Sequence, residues 1–167
     1  DDIKTETKYC VEKDVHNLHI LKSVASGYPP IPVAKPAERK TESIAIVCSG
    51  PSLATTWEQV KMCHHVLTCS GAHDYMIERG IIPHFHMETD PRPHKAVFTK
   101  SPDKRTTYLI ASSCHPDVFA NLQGMNVRIW HVVPENELHR MPRGHWMITG
   151  GCNVGLRAMV MARLMGY

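Results

Sequence analysis

The chain has 167 residues, and 19 lysines and arginines against 16 aspartates and glutamates leave a net charge of +3. Hydrophobic residues make up 43% and charged residues 21%, the balance of a soluble globular protein long enough for one domain with a real core. The positive excess is mild and scattered, which argues against a nucleic-acid partner; no run approaches the roughly 18 apolar residues of a membrane span, and no signal-peptide pattern opens the chain.

Residues 1–42 read as an N-terminal arm and linker. From Val15 to Ala25, the spacing of Leu18, Ile20, Leu21 and Val24 fits an amphipathic helix. The Gly27 to Pro32 stretch breaks it, and residues 35–40 form a charged, proline-interrupted linker. The arm is expected to pack on the domain or on a partner, and it carries no chemistry of its own.

From residue 43 onward the pattern alternates. Strands are expected at 44–48, 65–69, 84–88, 107–111 and 127–132. Helices are expected at 55–62, 72–79, 94–99, 116–122 and 154–165. An irregular stretch with Pro134 and Pro142 precedes the last helix. Strands alternating with helices of this length imply crossover connections and a mostly parallel sheet. The expected fold is therefore a three-layer, Rossmann-like α/β domain over 43–167.

Two turns stand out. Ile44 to Cys48 runs into Ser49-Gly50-Pro51-Ser52, small residues with one flexible and one fixed φ. A strand, a small-residue turn and a helix start make an anion site, because free amides and the helix dipole converge. The alternative is an ordinary βα turn. A second turn, Thr149-Gly150-Gly151-Cys152-Asn153, enters the last helix in the same way. Neither turn fits the dinucleotide fingerprint or the P-loop pattern.

In an open parallel sheet, ligands bind outside the carboxyl ends of the strands, near the topological switch point. There the chain carries Ser49 to Ser52, Ser70 and Gly71, Glu88 to Asp90, Ser112 to His115, and His131. Asp90 is the leading polar candidate, with an Asp-Pro turn former as the alternative. Glu88 is its partner candidate, and Arg92 and Lys95 are candidate phosphate contacts or plain surface cations. Ser112 or Ser113 with His115 offers a Ser–His pair without a nucleophile elbow, and helix capping before Pro116 by Ser113 or Cys114 is the preferred reading. His131, His139 and His145 are each candidate acids or bases.

The 12 histidines include Cys63-His64-His65 and His84-x-His86. The latter pair would share one face of a strand, but neither group has structural-zinc spacing. The six cysteines, at 10, 48, 63, 69, 114 and 152, form no C-x-x-C motif. Cys48 and Cys69 fall on expected buried strands, where a free thiol packs as a small hydrophobe. A reduced, cytoplasmic chain is the favoured reading over a disulfide framework.

Four segments in order carry a family resemblance: Gly50-Pro51-Ser52-Leu53, Ala72 to His84, Met87-Glu88-Thr89-Asp90-Pro91, and Thr149-Gly150-Gly151. They resemble the family once called domain of unknown function 115, which includes archaeal 6-hydroxymethylpterin diphosphokinases and bacterial motility-accessory glycosyltransferases. The order is also similar to that of Rossmann-like bacterial sialyltransferases. His84 and Cys152 depart from the family's common aspartate and serine. In the family a further core strand follows the point at which Tyr167 stands, so the resemblance implies a domain cut short at its C-terminus.

The resemblance implies a nucleotide-binding transferase. Its leading form is a glycosyltransferase using a CMP-activated, nonulosonic-type sugar. Gly50, Pro51 and Ser52 would hold the donor's phosphate or ribose, Ser70 and Asp90 would orient the sugar nucleotide, and Thr149 to Asn153 would close the other side. The alternatives are a diphosphokinase acting on a pterin alcohol, with Mg²⁺ on Asp90, and a nucleotide-binding domain without catalysis. Mg²⁺ is the one cofactor under consideration, and only in the diphosphokinase reading. The expected partner is a nucleotide or nucleotide sugar, with self-association left open.

Overall fold

A computed structural model describes residues 10–132, 143–148 and 153–167. The arm forms α1 (Lys13–Ala25). Then come β1 (Ile44–Val47), α2 (Leu53–Thr56), β2 (His65–Cys69), α3 (Ala72–Ile77) and β3 (Phe85–Glu88). After these lie β4 (Thr107–Ala111), α4 (Pro116–Asn121), β5 (Asn126–Trp130) and α5 (Val154–Leu164). Short 3₁₀ segments occupy Pro36–Glu38, Trp57–Met62 and Pro93–Thr99.

The five strands form one all-parallel sheet in the order β1-β2-β3-β4-β5. Alternation sends Leu67, Cys69, Met87 and Leu109 into one cluster with Ala158 and Met161 of α5 and Met165 just after it. Val47 and Val66 pack the other way, against Leu53, Val60, Ala72 and Met76. Strand residues buried on both faces, with helices over each, make the expected three-layer Rossmann-like α/β fold. Among the described residues no helix is long and apolar enough to cross a membrane.

Several expectations change. Because the described strands follow one another without reversal, they contain no topological switch point. The helix expected at 55–62 is a four-residue α2 that tightens into 3₁₀. The Thr55 and Thr56 hydroxyls both donate to the Ser52 carbonyl, at 3.0 and 2.9 Å, competing with the amide ladder. The helix expected at 94–99 is likewise 3₁₀. α1 turns only part of its expected stripe inward: Val24 packs against the core and Ile20 is half-buried, but Leu18 and Leu21 are 48% and 67% exposed, whereas His16, His19 and Ser23 are buried. Its polar side is engaged by carbonyls just past β4. His19 Nδ1–H donates to Ser113 O (3.2 Å) and Ser23 Oγ donates to Ser112 O (2.9 Å).

The linker is laced to the sheet. Ile129 N donates to Pro29 O (2.9 Å) and Ile31 N to Ile129 O (3.1 Å), which covers the edge of β5. Ala34 N then donates to Leu164 O and Lys40 N to Gly166 O, both at 2.8 Å. Gly166 makes this docking work. Tyr167 N bonds Ala162 O and Gly166 N bonds Arg163 O, a Schellman end to α5 with Gly166 at φ 98°. A Cβ there would lie 2.9 Å from Ala34 Cβ and 3.2 Å from Glu38 O. Gly166→Ala should cost about 2 kcal/mol, from left-handed strain plus crowding. An unchanged urea midpoint would refute that expectation.

Candidate functional site

The carboxyl ends of the strands bring several of the expected residues together. The β1 turn begins with Cys48 and runs through Ser49 to Ser52, all exposed. Leu53 N, bonded to Gly50 O at 3.0 Å, starts the helical ladder; the amides of Ser49, Gly50 and Ser52 stay outside it. With only four α residues, α2 adds little dipole, so an anion at this turn would meet these amides more than the helix. A Cβ on Gly50 would meet nothing within 4 Å, so the glycine leaves open room above the turn.

The β2 end lies against it. Ser70 sits at φ 48°, a left-handed conformation unusual for a non-glycine residue. A Cβ on Gly71 would lie 3.2 Å from Phe98 Cε1 and 3.7 Å from Ser49 Cβ. The start of α5 closes the other side: a Cβ on Gly155 would come 2.8 Å from Cys48 Sγ. Arg157, on the first turn of α5, donates from Nη1 to Thr89 Oγ1 at 3.2 Å. The two turns, the β3 end and the α5 start therefore meet. A groove of about 480 Å³ opens beside β1 and includes Cys48, Gly50, Ser52 and Leu53.

Asp90 is clamped. Its Oδ1 accepts the Arg92 amide at 3.0 Å and Nε at 2.9 Å, while Oδ2 receives Nη2. Partial burial works to raise its pKa; the Arg92 side chain and amide outweigh that and hold it below the ordinary carboxylate value. Mg²⁺ on Asp90 does not fit this arrangement, because a cation would have to displace a bidentate guanidinium. Among the described residues no three His, Cys, Asp or Glu groups gather as metal ligands.

Glu88 is the opposite case. It is 1% exposed, and among the described residues neither carboxyl oxygen has a partner at hydrogen-bond geometry, the Ser70 hydroxyl and Thr89 backbone lying near without completing one. Burial pushes its pKa up to about 7, against smaller pulls from the Ser70 hydroxyl and the Thr89 backbone. His86 Nε2, also without a partner, is 3.8 Å from Glu88 Oε1. Burial, then the neighbouring His73, holds His86 well below its usual value.

Below this edge runs a buried polar chain. Thr68 Oγ1 meets His86 Nδ1 at 3.1 Å, and His73 Nε2 meets the Tyr108 hydroxyl at 3.2 Å. That hydroxyl accepts from Asp103 N at 2.7 Å. His84, exposed and just before β3, does not join His86 on a ligand face; its Nδ1 accepts from Val66 N.

At β4, Ser112 pairs with His131 (2.8 Å), not with His115, and His131 Nε2 meets His145 Nδ1 at 2.9 Å. Burial, then His145, lowers the pKa of His131 to about 4. The α4 cap is His115, whose Nδ1 accepts from Asp117 N, in place of the expected Ser113 or Cys114. Cys48 is exposed just past β1, where burial was expected, while Cys69 is buried; the five described cysteines are free thiols.

Asn153 caps α5, its Oδ1 accepting from Leu156 N at 3.0 Å. Thr149, Gly150, Gly151, Cys152 and His139 lie outside the described residues. Arg157 and the His73–His86–Tyr108 chain escaped the sequence reading. For Arg157 a signal exists: a cation in the first turn of a helix opposes the dipole, which calls for a local anion.

The chain is thus a parallel α/β domain whose small turns, clamped carboxylate and helix-borne arginine meet at one sheet edge. Residues 16–167 match the family described as 6-hydroxymethylpterin diphosphokinase MptE-like, and the chain belongs to it. Membership supports a nucleotide-related transferase function in general terms. A comparison with curated proteins finds no match.

Proposed function

We propose that this chain binds a nucleotide across the carboxyl ends of β1 to β3 and transfers a group from it to an alcohol acceptor. The leading form is transfer of a nonulosonic-type sugar from a CMP-activated donor. The observation that carries the reading is the convergence of Ser49 with Gly71, Cys48 with Gly155, and Thr89 with Arg157. These contacts bring the β1 turn, the β2 turn, the β3 end and the start of α5 together, which supports a ligand held between them.

In this reading Gly50, Pro51 and Ser52 hold phosphate or ribose through turn amides and the Ser52 hydroxyl. Ser70, Gly71 and the clamped Asp90 orient the sugar nucleotide, and Thr149, Gly150, Gly151 and Asn153 close the far side. Arg157 adds positive charge where the departing phosphate gains negative charge. Catalysis is mainly positioning and electrostatic stabilisation. The Arg92 clamp favours a carboxylate that accepts hydroxyl donors over one that holds Mg²⁺. A second reading, diphosphoryl transfer to a pterin alcohol, is favoured by the family description. It requires Mg²⁺ to find ligands other than Asp90 as now clamped.

A thermal-shift series with CMP, CTP, ATP, GTP and AMP, with and without Mg²⁺, separates these readings. A ligand at about 100 times its Kd adds roughly 2.7 kcal/mol. A metal-independent shift by cytidine nucleotides supports sugar transfer; a Mg²⁺-dependent shift by ATP supports diphosphoryl transfer. No shift with any nucleotide defeats both. The Gly50→Val variant should fold as the parent does, since its Cβ meets only open space, and should bind nucleotide about tenfold more weakly or worse. Parent-like binding by Gly50→Val removes this turn from the site.

A further inference from the structure

We propose that Cys48 and Cys69 form a peroxide-sensitive dithiol, with Cys48 as the attacking thiol and Cys69 as the thiol that resolves it into a disulfide. β1 and β2 run parallel with Val47 opposite Thr68. The next residues, Cys48 and Cys69, therefore stand side by side. Neighbouring strands lie about 4.8 Å apart, inside the roughly 4.4–6.8 Å Cα separation that a disulfide tolerates.

The two thiols are unequal in the way such a pair requires. Cys48 is exposed and Cys69 is 1% exposed, so a dissolved oxidant reaches only the first. Cys48 Sγ also lies beneath the first turn of α5, 2.8 Å from where a Gly155 Cβ would be. A helix N-terminus favours thiolate. The Cys69 thiol, donating to the Cys48 sulfur, adds to this and brings the Cys48 pKa down to about 7 against the effect of burial. That contact and burial push Cys69 the other way. Cys114 lies past β4, three strands from β1 in the sheet, whereas Cys69 is on the neighbouring strand, so Cys114 does not compete.

The chemistry balances with hydrogen peroxide as oxidant. The Cys48 thiolate attacks one peroxide oxygen and the O–O bond breaks. The sulfur becomes a sulfenic acid, and the other oxygen leaves with a proton as water. The Cys69 sulfur then attacks the Cys48 sulfur. The S–S bond forms, the S–OH bond breaks, and the displaced hydroxyl leaves as water with the Cys69 proton. Two electrons pass from the sulfurs to peroxide. The new bond would tie the β1 turn to the β2 turn.

The test is peroxide treatment of the whole chain, alkylation of the remaining thiols, and peptide mapping by mass spectrometry. The expected product is a 48–69 cross-link, two hydrogens lighter than the dithiol and reversed by dithiothreitol. Cys48→Ser should abolish it. Cys69→Ala should let dimedone trap a sulfenic acid on Cys48. Three results overturn the proposal: Cys48 still alkylating fully after peroxide, Cys48 advancing to the sulfinic acid in the parent, or Cys48 cross-linking to another cysteine. The parent decides the matter even where a buried-site variant folds poorly.

Discussion

At pH 8 the Glu88→Gln variant should be more stable than the parent by about 2–3 kcal/mol, and at pH 5 the gain should nearly vanish. A buried carboxyl with two unpartnered oxygens resists ionising. Its pKa rises from 4.5 in the open chain to about 7 in the fold. Between those values the folded state holds a proton that the unfolded state has lost. Stability therefore falls as pH rises through this window, and the loss is complete above it. A shift of roughly 2.5 units corresponds to about 3.4 kcal/mol as an upper value. The glutamine amide has the shape of the protonated acid and does not ionise, but it too lacks partners, which trims the gain. The melting temperature should rise by about 5–10 °C at pH 8 in a domain of this size. A variant equal to or below the parent at pH 8 would show that the carboxylate is well solvated or paired.

Much of the fold was legible because hydrophobic runs and breakers coincide. All five strands fall within a residue or two of their expected places, each bounded by Gly, Pro or Ser. The shortfalls have local causes. Thr55 and Thr56 turn their hydroxyls on Ser52 O, so an apparent helix tightens into 3₁₀. α1 misled more deeply. Leu18 and Leu21 suggest a buried stripe, yet the carbonyls of Ser112 and Ser113 take their donors from Ser23 and His19 on the other side of the helix. A buried hydrogen bond to an otherwise orphaned carbonyl outweighs the exposure of one or two leucines.

The site was legible as a list of edge residues, not as an arrangement. Periodicity placed Ser49, Ser70 and Asp90 at strand ends, but nothing in it says that Arg92 grips Asp90, or that Ser112 turns to His131 rather than His115. Those choices depend on three-dimensional distance between side chains far apart in sequence. The buried His73–His86–Tyr108 chain was hidden for the same reason. Histidines on an apparent surface alternation carried no hint that His73 would meet Tyr108, and His86 meet Thr68, inside the fold.

Those buried imidazoles set the acid limit of the fold, in the direction opposite to Glu88. His131 is held neutral down to about pH 4 by burial and by His145, and burial, then His73, likewise holds His86 well below its usual value. In the unfolded chain both take up protons below about pH 6.5. Their contribution is therefore intact above pH 6.5 and is lost as pH falls towards 4. His131 alone accounts for about 3 kcal/mol over that span, and His86 adds to it. Glu88 recovers stability over much of the same range, so the parent's decline is softened. Urea midpoints measured from pH 8 to pH 4.5 should fall for the parent and fall more steeply for Glu88→Gln, the two curves converging near pH 5. Parallel curves would mean that Glu88 titrates as an ordinary surface carboxyl. A Glu88→Gln midpoint that is flat or rising towards pH 4.5 would mean that His86 and His131 accept protons inside the fold, which their burial at 0% exposure argues against.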